Sequence, residues 1–289
     1  MSVTVLETKN LTHVYSKGTT SQVDAIRDVS VKIEQGELVG IIGHTGSGKS
    51  TLIQHFNGLL RCTSGSVLLE GKDIWQDKKN IRNVRFRVGI CFQYPEYQLF
   101  EETVYKDIAY GPKNMKLPEE EVDRRVRQVI KFVGLDESYL EKSPFDLSGG
   151  EKRRVAIAGV MAMEPSVLIL DEPCAGLDPK GRETVLSLIT SYREKTGSTV
   201  LIVSHSMEDI SKIATRVLVM NNSELAYYDT VDGVFTHSSE LYDMGLNVPQ
   251  LTMLFLKLRE KGYDVPVNVY TLEKAREELT RLLKGGSGK

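Results

Sequence analysis

The sequence predicts an α/β fold: a mostly parallel sheet core, an inserted helical subdomain and a helical extension at the C-terminal end. Three features carry this. Apolar runs such as Leu38-Val39-Gly40-Ile41-Ile42 and Val167-Leu168-Ile169-Leu170 are continuous, as in strands buried on both faces. A glycine-rich loop joins the first of these runs to a stretch of helical composition. Between the two runs the apolar period changes from that of a strand to that of a helix, and it changes back afterwards.

The elements follow in order. Residues 4–8 and 29–33 alternate in period two, as half-buried strands do. Residues 38–42 form a buried strand, 51–60 a helix, and 67–69 and 88–92 two further strands. Pro118, with Glu119, Glu120 and Glu121 behind it, places a proline at the first helical position and acids at the positive end of the dipole. Val122, Val126, Val129, Ile130 and Val133 then recur at helical spacing until Gly134. The span 103–163 reads as the helical subdomain. From residue 167 the alternation resumes, with strands at 167–170, 199–203 and 216–220 and helices at 179–195 and 206–214. Such alternation places a ligand site at the C-terminal ends of the strands.

The chain divides into a main α/β domain over 1–244, a helical extension over 245–284 and a flexible glycine-rich tail over 285–289. In the extension, Leu251, Leu254, Phe255 and Leu258 form one apolar stripe and Leu272, Ala275, Leu279 and Leu282 another, which predicts a helical hairpin. Two uses are open to it: packing on its own domain, or docking to a partner subunit.

Composition excludes several classes. With 37 Lys+Arg against 39 Asp+Glu, the 289 residues carry a net charge of −2, which argues against nucleic-acid binding by bulk electrostatics. The three cysteines, Cys62, Cys91 and Cys174, are widely spaced and form no Cys-x-x-Cys pair, so neither a disulfide framework nor a zinc ribbon is predicted. A reducing cytoplasm suits them. Charged residues interrupt every apolar run well short of the roughly 20 residues a membrane-spanning helix needs.

The chemistry concentrates in a few motifs. Gly43-His44-Thr45-Gly46-Ser47-Gly48-Lys49-Ser50 lies between a buried strand and a helix. Its glycines let backbone N–H groups turn towards phosphate oxygens, Lys49 reaches the β and γ phosphates, and Ser50 offers a hydroxyl to Mg²⁺. Asp171 ends a buried strand, where it can hold Mg²⁺, and Glu172 follows, placed to orient or deprotonate a water. His205 ends the next strand and is set to donate to developing charge on the γ phosphate. Leu147-Ser148-Gly149-Gly150-Glu151 is a second glycine-rich loop opening a helix. One triphosphate needs one cradle, so the second implies a dimer in which each loop closes over the partner's nucleotide. The run Lys152-Arg153-Arg154 reads as a solvated face.

These residues resemble the ATP-binding-cassette (ABC) ATPase family across residues 4–234. The resemblance implies a P-loop NTPase fold of the ABC type, with an antiparallel β subdomain beside the parallel core. It implies Tyr15 stacked on adenine, ATP held by residues 43–51 (Thr51 included), and Mg²⁺ held by Ser50, Gln93 and Asp171. It makes Glu172, His205 and Gln93 catalytic, residues 147–151 the signature that meets the partner's nucleotide, and Asp178 the D-loop aspartate.

A narrower resemblance, to ATPases of energy-coupling factor (ECF) transporters, rests on Phe92-Gln93-Tyr94-Pro95-Glu96-Tyr97-Gln98-Leu99-Phe100 and on Gly245-Leu246-Asn247-Val248-Pro249. Residues 172–182 are similar to the second of the two ATPase subunits of that module. The resemblance implies a peripheral protein on the cytoplasmic face of a bacterial membrane that energises uptake of vitamins or other micronutrients. Its implied partners are a second ATPase subunit, a transmembrane coupling subunit and a substrate-binding membrane subunit, with no nucleic acid. Tyr94, Glu96, Tyr97 and Phe100 are the expected coupling surface, with Glu96 facing a basic residue of the membrane subunit. The alternative is the ATPase of another ABC transporter. A soluble nucleic-acid ATPase fits less well, because Lys49 and Ser148 are separated by one modest subdomain without heptads.

Overall fold

The computed structural model describes residues 3–285, so the tail expected at 285–289 lies outside the described residues but for its first position. Strands β1 (Thr4–Tyr15) and β2 (Val23–Glu34) pair antiparallel along their lengths. After β3 (Leu38–Ile42) and helix α1 (Lys49–Phe56), β4 (Ser64–Leu69) pairs antiparallel with β1, and the short β5 (Lys72–Asp73) completes a four-stranded sheet in the order β2-β1-β4-β5. Helix α2 (Ile81–Arg87) leads into β6 (Val88–Cys91). Three helices follow, α3 (Val104–Asn114), α4 (Glu119–Phe132) and α5 (Gly149–Met161). Then come β7 (Val167–Asp171), α6 (Pro179–Thr196), β8 (Thr199–Val203), α7 (Met207–Ile213), β9 (Arg216–Asn221) and β10 (Glu224–Thr230). Strands β10-β9-β3-β8-β7-β6 form the second sheet, parallel except for edge strand β10.

The continuous apolar runs are explained by what covers each face. Side chains alternate across a strand, so Leu168 and Leu170 of β7 enter one core while Val167 and Ile169 enter another. The first core gathers α3 to α6 and the helices that follow. The second contains Leu52, Ile53 and Phe56 of α1 and the inner face of the antiparallel sheet. A strand apolar on both faces is stable only between two such layers.

Several elements depart from expectation. Strand β1 continues past Thr8 because a bulge at Asn10 (φ 46°) absorbs the break in alternation at Lys9-Asn10, and Asn10 N–H donates to Ser30 Oγ at 2.8 Å. Tyr15 is thus the last residue of β1. Helix α1 begins inside the glycine loop, at Lys49, and stops at Phe56, short of residue 60. Pro118 caps α4 from outside its first turn.

In the extension, α8 (Val231–Thr236) and α9 (Ser238–Asp243) precede α10 (Gln250–Glu260) and α11 (Leu272–Gly285). Phe255, Val265, Val269 and Ala275 make a small core with Leu251, Leu258, Leu279 and Leu282 around it. Leu254 and Leu272, expected in the two stripes, are exposed (43% and 78%). Leu246, Val248 and Leu256 join the first core, which packs the start of the extension on its own domain.

Candidate active site

Four parallel strands bring the predicted residues to one edge. Cys91 of β6 is level with Leu170 of β7, Asp171 with Val203 of β8, and Val203 with Ile41 of β3. Gln93, Asp171, Glu172, His205 and the loop starting at Gly43 therefore leave the sheet together at its C-terminal end.

Gly43 (φ 155°) and Gly48 (φ 102°) shape the loop. A Cβ at either would sit 2.4 Å from a carbonyl oxygen, that of Met220 or Ala25, so both conformation and space require glycine. Lys49 Nζ folds back to donate to Gly43 O at 2.8 Å and His44 O at 3.0 Å. Burial lowers the Lys49 pKa against the opposing pull of Glu172 and Asp171. Ser47 Oγ is buried without a hydrogen-bond partner among the described residues. The loop thus leaves an orphaned hydroxyl and a desolvated cation at the N-terminus of α1, and phosphate oxygens would satisfy both.

Opposite stand two carboxylates. Burial raises the Asp171 pKa, while Lys49 and a hydrogen bond with Ser50 oppose the rise. Burial, and then the charge of Asp171, push Glu172 up to about 7. The Glu172 side chain is 14% exposed, and its Oε1 accepts no hydrogen bond among the described residues. Its backbone sits at φ 50°, a left-handed conformation that costs a non-glycine residue about 1–3 kcal/mol and is commonest at functional positions. His205 Nε2 lies 3.6 Å from Glu172 Oε1, too far for a hydrogen bond. Burial, then Lys49, lower the His205 pKa, so the imidazole is neutral at pH 7 and the contact is no ion pair.

No group of three or more His, Cys, Asp or Glu among the described residues could hold a metal ion. Ser50, Asp171 and Gln93 instead offer a hydroxyl, a carboxylate and an amide oxygen. Ser50 and Asp171 already touch. Hard oxygen donors with a single carboxylate fit Mg²⁺, which keeps several waters and takes the rest of its shell from substrate phosphates.

The second glycine loop lies apart, as the N-terminus of α5. Ser148 and Glu151 form a capping box: Ser148 N–H and Oγ donate to Glu151 Oε2 at 2.8 and 2.7 Å. These bonds, with one from Tyr139, hold the Glu151 carboxyl down at about 2. Gly149 and Gly150 have no positive φ, and a Cβ on either would meet nothing within 4 Å. Leu147 is buried in the first core and anchors the loop from beneath. Asp178 caps α6 by accepting from Gly181 N–H at 2.8 Å. Tyr15, 38% exposed, places its hydroxyl 3.3 Å from Thr51 Oγ1.

Two expectations need correction. Arg153 does not belong to a solvated face: it is 3% exposed. Its guanidinium grips Glu96 with Nε at 3.0 Å and Nη2 at 2.6 Å, and its Nη1 donates to Ala175 O at 2.6 Å and Pro173 O at 3.3 Å. Glu96 is therefore already paired inside the chain and does not wait for a partner's cation. Burial alone would raise its pKa, but Arg153 overrides this and holds it below the ordinary value. Tyr94, Tyr97 and Phe100 remain exposed (43%, 84% and 59%), with Phe100 edge-on to Tyr110 at 5.0 Å. The arginine was legible as a core residue, since Arg153, Ile157 and Met161 follow at i, i+4, i+8 on the buried face of α5.

The ABC transporter family profile matches residues 26–175. Together with the fold and the phosphate loop, this match means that the chain belongs to the ABC transporter family. It is an ATP-binding cassette, and ATP hydrolysis is the activity of its class. Within the family it is 50% identical over 283 residues to the energy-coupling factor transporter ATP-binding protein EcfA2 of Clostridium perfringens, covering 98% of this chain and 99% of that protein. It is 51% identical to the protein of the same name from Clostridium tetani, with 96% of each covered. Among solved structures, cbiO1 of Clostridium perfringens, part of the ABC transporter complex cbiONQ, superposes with a TM-score of 0.75. That match is 38% identical and covers 87% of this chain and 98% of cbiO1. The cassette MJ0796, a dimer in a post-hydrolysis state bound to ADP and Pi, gives a TM-score of 0.69 at 28% identity, with 78% and 98% covered.

Proposed function

We propose that this chain is the ATP-hydrolysing subunit of an ECF-type importer for vitamins or other micronutrients, working at the cytoplasmic face of a bacterial membrane. No helix among the described residues is long and apolar enough to cross a bilayer, so membrane attachment comes through partners. Those partners are a second ATPase subunit, a transmembrane coupling subunit and a substrate-binding membrane subunit. The near-full-length likeness to energy-coupling factor ATP-binding proteins carries this reading.

The residues divide the work as follows. Tyr15 stacks on adenine, while the 43–48 loop, Lys49 and Thr51 hold the phosphates. Ser50, Asp171 and Gln93 hold Mg²⁺, which neutralises charge on the β and γ phosphates when bound. Glu172, poised near neutral pH, takes the proton of the attacking water. His205, neutral and next to Glu172, donates a hydrogen bond to the departing γ phosphate. Gly149 and Gly150 support a dimer: neither φ nor intrachain space demands glycine there, so the bare surface suits something arriving from outside. That arrival is the partner's nucleotide, and Asp178 borders the same interface.

The test is to purify the tagged chain from detergent-solubilised membranes of its own host and identify its companions. Recovery with a second ATPase and two integral membrane proteins, and ATP hydrolysis by that complex, is the expected result. Recovery alone or with nucleic acid would refute the proposal.

A further inference from the structure

Behind the phosphate loop lie two histidines that the mechanism does not use. His13 on β1 is 9% exposed and His55 on α1 is fully buried. Their rings stand edge to face at 4.7 Å, with His55 Nε2 3.2 Å from His13 Nδ1. His55 Nδ1 lies 2.7 Å from Thr51 O, and His13 Nδ1 lies 3.2 Å from Arg61 O.

These contacts fix the protons. A carbonyl oxygen only accepts, so His55 carries its proton on Nδ1 and donates it to Thr51 O. Burial holds the His55 pKa down at about 4, so Nε2 keeps a lone pair at neutral pH. The same reasoning puts a proton on His13 Nδ1, shared between Arg61 O and His55 Nε2. Each ring thus carries a proton on Nδ1, and His55 Nε2 is the acceptor between them. On its other side the His13 ring meets the Tyr15 ring edge-on at 4.5 Å. Tyr15 also touches the Thr51 hydroxyl, so His55 and Tyr15 engage the same residue of α1, one by its carbonyl and one by its side chain.

We infer that His13 and His55 are positioning residues for the adenine platform: the pair, locked in one tautomer by Thr51 O and Arg61 O, sets the Tyr15 ring relative to the phosphate loop. The inference rests on Tyr15 stacking on the base. It extends that reading by tying base recognition to α1 through a buried pair of rings. Since the pair supports the base and not the phosphates, its loss should weaken ligands that carry a base and spare ligands that do not.

The experiment compares equilibrium binding of ATP and of inorganic tripolyphosphate, a probe without a base, to the full-length chain in the presence of Mg²⁺. His13→Leu removes the donor and the ring under Tyr15, and His55→Leu removes the acceptor. Each should weaken ATP about tenfold, the scale of one aromatic contact plus one unpaired buried polar group, and leave tripolyphosphate unchanged. His55→Gln, whose amide can donate to Thr51 O and accept from His13, should bind ATP nearly as the wild type does. Equal weakening of both probes would show general damage to the phosphate loop and overturn the inference, as would undiminished ATP binding by the Leu variants. Tyr15→Ala separates the two readings: unchanged ATP affinity there refutes the stacking itself. ¹⁵N-histidine NMR of the wild type needs no variant to fold, and a proton on Nε2 of His55 at pH 7 would also refute the inference.

Discussion

Replacing Glu172 with Gln should make the nucleotide-free chain more stable, and only above a defined pH. Burial and the charge of Asp171 raise the Glu172 pKa from 4.5 to about 7. Below pH 4.5 the carboxyl is protonated in both the folded and unfolded chain and contributes nothing to the pH dependence. Between pH 4.5 and 7 the unfolded chain loses this proton while the folded chain keeps it, so stability falls as the pH rises. Above 7 the full cost applies: a rise from 4.5 to about 7 corresponds to about 3 kcal/mol. The amide in Glu172→Gln does not titrate and escapes that cost. At about 2–4 °C per kcal/mol for a chain of this size, Tm at pH 8 should exceed that of the wild type by roughly 6–12 °C relative to the gap at pH 4.5. Thermal unfolding of both proteins across pH 4.5–8.5, without nucleotide or Mg²⁺, measures the gap directly. Any constant effect of the amide cancels between the two ends of the series. A gap that is flat with pH, or that closes as the pH rises, would refute the argument that Glu172 is held protonated by its surroundings.

Other variants probe other links. In the assembled transporter, Glu172→Gln should keep ATP binding but lower turnover by about 10²–10⁴, measured as phosphate release, because the water loses its acceptor. Ser148→Arg should leave the ATP affinity of the lone chain within about twofold yet abolish ATP-dependent dimerisation in sedimentation, since a bulky side chain fills the open face over Gly149 and Gly150. Tyr97→Ala removes a ring that is 84% exposed, so the fold and basal ATPase should survive while association with the membrane subunit and substrate uptake are lost. Glu96→Gln leaves the Arg153 charge buried without its counter-ion and should cost about 3–5 kcal/mol in denaturant unfolding.

What could be read from the sequence depended on how local each determinant is. The phosphate loop and the Asp171-Glu172 pair are set by short-range grammar: a buried strand, a turn and a helix start within a dozen residues or so. Sheet order was partly legible too, because one intervening helix makes β7 and β8 neighbours, as the structure shows. The burial of Arg153 could be read from helical spacing, but its pairing with Glu96 could not, since the partners are 57 residues apart. The histidine pair is separated by 42 residues and joins different elements. Leu254 and Leu272 show the converse failure. Helical spacing admits them to a stripe, but the hairpin takes Val265 and Val269 from the connecting segment instead and leaves both leucines in solvent.

The capping box at Ser148 alters how the second glycine loop can meet an anion. In the lone chain the loop is already occupied by its own carboxylate: Glu151 Oε2 receives both the Ser148 amide and the Ser148 hydroxyl. An incoming phosphate oxygen that seeks the same donors therefore arrives by exchange. For those two groups the count of hydrogen bonds stays level, and the gain must come from the unclaimed amides of Gly149 and Gly150. The displaced carboxylate keeps its charge: it loses the Ser148 bonds that hold its pKa down, but even an ordinary glutamate carboxyl is ionised near neutrality. Closure thus brings like charges together unless Glu151 swings aside towards Tyr139, which already donates to Oε1. In the proposed dimer, a phosphate would therefore have to displace an internal mimic of itself before it could use the Ser148 donors.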